Sequence, residues 1–272
     1  MKILGFGDSF ILGLEACPRL EDIHPDSDWR HKRGLHSECI HPWRKSYQGM
    51  IGNHFQCIPE FRGVPGTGPW NMFFDYLDRC GKRSPLYSLR GVDVVIMAWS
   101  EITRLYHPKY KPINTHIIYD KKLWSTKSED EQRAITAAKT YMEDFMDIEQ
   151  KNYELTALMT MVDQMTARYP LKKFIHLPCF TKDDPGEWWG TAYKTKKHTE
   201  LNYYHNFKHG MEIRPALMWM SMLDEWPTDL SKDRRECHMT PRVNRLLADA
   251  IIHCIENYQP GKILDMDVSL IK

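Results

Sequence analysis

"VDVVIMAWS", residues 92–100, decides the fold. Apart from Asp93 it is a nearly continuous run of β-branched and apolar residues, as expected of a central parallel strand covered on both faces. Toward the N-terminus, Lys2–Phe6 reads as a second buried strand, ending in a tight turn at Gly5-Phe6-Gly7 and followed at once by Asp8-Ser9. Residues 55–61 read as another strand, interrupted by Pro59. Toward the C-terminus, "KKFIHLPCF" (172–180) is a further strand.

Helical patterns fall between these strands. Residues 46–55 read as a short helix weakened by two glycines. Residues 71–78 have helical spacing, with Asn71 as cap. The longest pattern, 129–168, contains no Pro or Gly and breaks once near Gln150. A short helical stretch falls near 215–223. Residues 240–258 form an amphipathic helix with Leu246, Leu247, Ala250, Ile251 and Cys254 on one side and Pro241 in its first turn. Strands alternating with helices predict one α/β domain over residues 1–272, a three-layer α/β/α arrangement around a parallel sheet. Three irregular blocks, at about 17–44, 101–128 and 181–235, read as insertions or lids, too long for ordinary connections.

Composition narrows the function classes. There are 37 Lys and Arg against 36 Asp and Glu, so no global basic field favours nucleic acid. The N-terminal apolar run is short and broken by Gly5 and Asp8, which predicts no signal peptide, and no stretch reaches membrane-span length. Seven cysteines without a C-x-x-C pair suit reduced thiols and a cytoplasmic setting. His36, Cys39 and His41 in "HSECIHP" lack zinc spacing, so neither a metal nor another cofactor is expected. The aromatics of "GEWWG" (186–190) and "LNYYHNF" (201–207) suit lid packing better than sugar stacking.

In an open parallel sheet, ligands sit beyond the carboxyl ends of the strands. Gly7-Asp8-Ser9, the glycines 63–68, Trp99-Ser100-Glu101 and His238 all fall at such ends. A phosphate cradle is excluded at the first of these, because no G-x-G-x-x-G or G-K-[ST] follows and Asp8 would repel phosphate. A serine, a glycine loop and a late histidine on one rim can instead build a hydrolase site. The histidine takes the serine proton, and backbone N–H groups hold the oxyanion.

These residues resemble the SGNH (GDSL-type) hydrolases. "FGDSFILG" (6–13) is similar to the first family block, "RGVPGTG" (62–68) to the second, and "RECHMTPRVNRLLADAI" (235–251) to the last. "VVIMAWSEI" (94–102) occupies the place of the third. The resemblance implies a flavodoxin-like parallel sheet, Ser9 as nucleophile and oxyanion donor, Gly66 as second donor, and His238 as general base. It implies an ester substrate, a small molecule or an O-acylated carbohydrate, with no nucleic acid or membrane partner. Two positions depart from the pattern. Glu101 replaces the oxyanion-binding asparagine beside Ser100, and Arg235 stands where the family has its acid. Asp233 and Glu236 are the nearby carboxylates, so the third triad member is missing, displaced to one of these, or replaced by a backbone carbonyl. A catalytically inactive binding or virion-associated protein is therefore the alternative. Trp99-Ser100 followed by Arg104 is similar to a pattern in SGNH-like proteins of tailed phages, which would place the chain in a host cytoplasm or a virion. Glu101 and Arg104 could instead form a buried ion pair, a structural role that stands beside any catalytic one.

Overall fold

The structure is a computed structural model that describes residues 1–8, 46–63, 68–80, 89, 91–100, 104–107, 109, 113, 118, 124, 126–168, 172–178, 207–214, 239, 241–267 and 269. Its centre is β3 (Val94–Trp99), the strand expected from its apolar run, with every residue buried. β1 (Ile3–Gly7) and β4 (Lys173–Pro178) pair with it in parallel on either side. β2 (Glu60–Gly63), β5 (Met211–Arg214) and β6 (Ile263–Asp265) complete a six-stranded sheet in the order β2-β1-β3-β4-β5-β6. All five pairings are parallel. The first five strands follow the flavodoxin-like order, whose topological switch point lies between β1 and β3.

Successive side chains of β3 face opposite layers, and the cores divide accordingly. Val94, Ile96 and Ala98 pack with α1 (Tyr47–His54) and α5 (Pro241–Glu256). Val95, Met97 and Trp99 pack with α2 (Pro69–Cys80) and α4 (Ile148–Thr166). The three-layer α/β/α expectation therefore holds. Within α5, Leu247, Ala250, Ile251 and Cys254 are buried as expected, and Leu246 lies at the edge of the same core.

Gly5 shows why the first strand tolerates a glycine. It pairs in register with Phe61, and a Cβ there would come within 2.2 Å of the Phe61 ring. The small residue makes room for an aromatic ring across the sheet.

Several boundaries differ from expectation, each for a local reason. β2 begins at Glu60, so Pro59, which has no N–H for the ladder, stands ahead of the strand. α2 starts two residues before Asn71, with Pro69 at its first position, and the Asn71 side chain accepts the Gly68 N–H at 3.4 Å. The long helical pattern divides into α3 (Glu129–Thr140), a π-helical turn (Tyr141–Phe145) and α4. The break falls at Met146-Asp147, slightly before Gln150, because Asp147 caps the N–H groups of Glu149 and Gln150. Ser128 and Glu131 form a reciprocal capping box on α3.

β5 lies inside the block 181–235 that was read as an insertion. Its sequence hid it: Glu212 is buried in mid-strand and bonded to Arg214 at 2.7 Å, so the segment does not look apolar. β6 is short, and its pattern of exposure is not that of a core strand. The expected loop 17–44 and the helical stretch 215–223 lie outside the described residues. Among the described residues, no helix is long and apolar enough to cross a membrane.

Candidate active site at the sheet switch point

β1 delivers Asp8 to the carboxyl edge of the sheet, and β3 delivers Ser100 beside it. Asp8 is fully buried. The Ser100 hydroxyl donates to its Oδ2 at 2.6 Å, and Arg104 Nη1 donates to the same oxygen at 2.6 Å. Arg104 Nη1 also donates to Ser100 Oγ at 2.8 Å, which closes a triangle. A carboxylate withdrawn from water needs both hydrogen bonds and an opposite charge, and this triangle supplies both. It ties the end of β1 to the segment that follows β3, across the switch point.

Arg104 forms an ion pair with Asp8, 96 residues away in sequence, which was not anticipated; Glu101, the other expected partner, lies outside the described residues. Ser100, placed from sequence among the oxyanion or substrate residues, is 2% exposed and joined to Asp8 and Arg104. Ser9, Gly66, Glu101, Asp233, Glu236 and His238 lie outside the described residues, as does Gly13. The structure describes the neighbours of three of them. Asp8 precedes Ser9. Gly68 follows the Gly66 loop and abuts the Arg104 backbone, since a Cβ on it would come within 2.6 Å of the Arg104 carbonyl oxygen. Met239 follows His238 and is buried, with its carbonyl accepting Asn244 Nδ2 at 2.9 Å. Asn244 Oδ1 accepts the Tyr47 N–H at 3.0 Å, so one buried amide joins the start of α5 to the start of α1.

An open cleft of about 410 Å³ adjoins the triangle. Trp70, Phe74, Tyr106 and Tyr141 supply aromatic surface, and Arg104 and Lys151 supply cationic groups. Arg104 thus belongs both to the Asp8 triangle and to the cleft wall. Lys151 Nζ donates to Glu154 at 2.8 Å and lies 5.5 Å from the centre of the Tyr141 ring. Burial alone would lower the Lys151 pKa, but hydrogen bonds with Glu154 and Tyr141 and the negative charge of Glu154 raise it overall. Lys151 therefore stays protonated at neutral pH.

A second buried polar group sits deeper in the sheet. Trp99 Nε1 donates to His176 Nδ1 at 3.1 Å, and the His176 ring stacks on Phe207 with 3.6 Å between centroids. Asp163 accepts the backbone N–H groups of Lys208, His209 and Gly210 at 2.7, 3.1 and 3.0 Å. Its Oδ1 lies 3.9 Å from His176 Nε2. Neither Asp163 nor His176 was singled out from sequence. The one signal was a histidine inside an otherwise apolar strand, which marks a polar atom in need of a partner.

No protein-family model matches the chain, and no curated protein sequence matches it. Solved structures are similar in trace. One is a carbohydrate esterase whose active site displays divergent catalytic and non-catalytic binding functions, with 13% identity and a TM-score of 0.41 over 95% of this chain and 69% of that one. Another is a carbohydrate esterase family 2 enzyme with a carbohydrate-binding domain, from Corynascus thermopiles (Myceliophthora fergusii), at 15% identity and 0.43 over 94% and 67%. A third is a family two carbohydrate esterase from Cellvibrio japonicus, at 13% and 0.41 over 94% and 61%.

Proposed function

We propose that the chain is a serine esterase or acyl hydrolase of SGNH type. The observation that carries this reading is the Asp8–Ser100–Arg104 triangle, which fixes the residue before Ser9 at the β1–β3 switch point, where this topology binds ligands. Ser9 Oγ attacks the ester carbonyl while His238 takes its proton. The backbone N–H groups of Ser9 and Gly66 hold the oxyanion. Collapse expels the alcohol, which takes the proton back from His238. Water then enters by the reverse sequence and releases the acid. Asp233, Glu236 or a backbone carbonyl orients His238. The substrate class is an ester, with an O-acylated carbohydrate as the first choice.

The test is covalent labelling with a fluorophosphonate probe. The wild type should label and Ser9→Ala should not. Equal labelling of the two, or none in the wild type, would overturn the reading.

A second reading keeps the fold and drops the chemistry. Arg235 at the position of the family acid and Glu101 at that of its asparagine favour it. It predicts no turnover on a panel of small esters.

A further inference from the structure

Three rings form a continuous aromatic run along the cleft. Trp70 and Phe74 have centroids 6.0 Å apart with planes 31° from parallel, and Phe74 and Tyr106 follow at 5.1 Å and 50°. Phe74 and Tyr106 are 39% and 45% exposed, so the run is a contiguous apolar patch open to the cleft rather than scattered single rings. Their positions are held by the fold. α2 carries Trp70 and Phe74, and Gly68 seats the start of α2 against the Arg104 backbone, two residues before Tyr106. The run is therefore a fixed surface rather than a flexible lid.

Arg104 and Lys151 also line the cleft, with Leu105 and Tyr141, and among the described residues their charges are balanced. Arg104 is paired with Asp8 and Lys151 with Glu154. Such a lining does not call for a phosphate or a polyanion, because both cations already have carboxylates. Nor does it suit an alkyl chain, which gains most from an enclosed apolar tunnel. A flat aromatic acyl group would stack on the rings but would face Lys151 and Arg104 with a C–H edge. A polyhydroxylated ring fits this mixture: its C–H face lies on the aromatic run and its hydroxyls meet Arg104 and Lys151.

We infer that this cleft is a binding subsite for a neutral carbohydrate ring, with Trp70, Phe74 and Tyr106 as its stacking surface. In the proposed esterase it holds the alcohol half of the substrate. That assignment of the half rests on the hydrolase reading, whereas binding itself does not. The cleft reaches the catalytic turn through Arg104, whose guanidinium both lines it and bonds Asp8.

The test uses the Ser9→Ala full chain, so that no turnover intervenes. Calorimetric titration with xylotetraose and cellotetraose should give saturable binding of at least one of them. Tetragalacturonate and phenylacetamide should bind more weakly. Tyr106→Ala and Phe74→Ala, both at exposed positions that leave the core intact, should each weaken binding by roughly tenfold. Failure of both neutral tetramers to bind, tighter binding of the polyanion or the aromatic amide, or unchanged affinity in both variants would overturn the inference. Because affinity is read in a chain without the serine, these results are independent of the fluorophosphonate outcome. An inactive chain that still binds a tetramer would retain the subsite and lose only the hydrolase reading.

Discussion

Two buried carboxylates are satisfied in opposite ways. Asp163, on α4, takes three backbone N–H groups from the segment that leads into β5. Asp8, on the rim, takes the Ser100 hydroxyl and the Arg104 guanidinium. The first solution is built into the path of the main chain and serves to hold two elements together. The second depends on side chains, one of which also lines a cleft. A group held by backbone is suited to architecture. A group held by a cation that faces the ligand side can pass a change in the cleft to the turn that follows Asp8. The comparison therefore sets a carboxylate held by backbone against one held by side chains at the cleft, and whether the second positions the segment after Asp8 is open to experiment.

The largest effect is expected at Arg104. Arg104→Met leaves Asp8 buried without its counter-charge, which costs about 3–5 kcal/mol in such cases. Adding Asp8→Asn removes the stranded charge, so the double variant should be more stable than Arg104→Met alone. Chemical denaturation measures both. The fluorophosphonate labelling rate, taken well below the unfolding transition, should fall in both. Equal stability of the single and double variants would mean that the Arg104–Asp8 pair is not the source of the loss.

Asp163→Ala comes next. It strands the Lys208, His209 and Gly210 N–H groups, the last of them buried, and should cost about 1–3 kcal/mol. In contrast to Arg104→Met, it should leave the labelling rate of the folded fraction unchanged. A loss of labelling in proportion to that of the Arg104 variant would erase the distinction between the two carboxylates.

The same contrast explains what could be read from the sequence. β3 was legible because a buried parallel strand needs an unbroken apolar run, and Val94–Trp99 is one. The divided helix was legible because its pattern lacked Gly and Pro, and only the Asp147 cap moved the break by a few residues. β5 was not, because Glu212 carries charge into the core and is satisfied there by Arg214. Sequence order placed Asp8 and Ser100 at strand ends but did not show their pairing. Only the near neighbour Glu101 was considered as a partner for Arg104, whereas the folded chain also brings it Asp8. Propensity and period describe segments; a salt bridge spanning 96 residues is set by the strand order that brings β1 beside β3. The cleft was hidden for the same reason, since its walls come from α2, the segment after β3, and α4. Among the described residues the aromatic lining is Trp70, Phe74, Tyr106 and Tyr141, none of which was singled out from sequence; the aromatics at 186–190 and 201–206 lie outside the described residues.

A smaller, pH-dependent effect lies in the core beneath α5, away from both carboxylates. Burial pushes the Cys254 thiol up to about 12 from its usual 9.0, because the thiolate would lose its hydration. The folded state then holds the proton more tightly than the unfolded one. Its contribution is complete below pH 9 and is lost as pH rises toward 12, at about 1.4 kcal/mol per unit. Cys254→Ala should lower stability at neutral pH through the cavity it leaves, yet flatten the fall between pH 9 and 11. Burial raises the Tyr258 hydroxyl in the same direction, so some slope should survive in the variant. An unchanged slope in Cys254→Ala would assign the alkaline loss to other groups.

The smallest effect discriminates most finely. Ser100→Ala removes one hydrogen bond to Asp8 while leaving the Arg104 charge in place, so a stability loss of about 1.5 kcal/mol is expected. If the triangle only neutralises a buried charge, that loss should be the whole consequence, since the ion pair persists. If it aims the turn carrying Ser9, the carboxylate needs both partners to fix its rotation, and one partner leaves it free to swing about Arg104. The labelling rate should then fall by more than the stability change explains, and Ser100→Thr, which keeps the hydroxyl, should recover most of it. A labelling rate in Ser100→Ala equal to that of the wild type would reduce the triangle to charge compensation. Asp8 would then differ from Asp163 only in the means by which its carboxylate is satisfied.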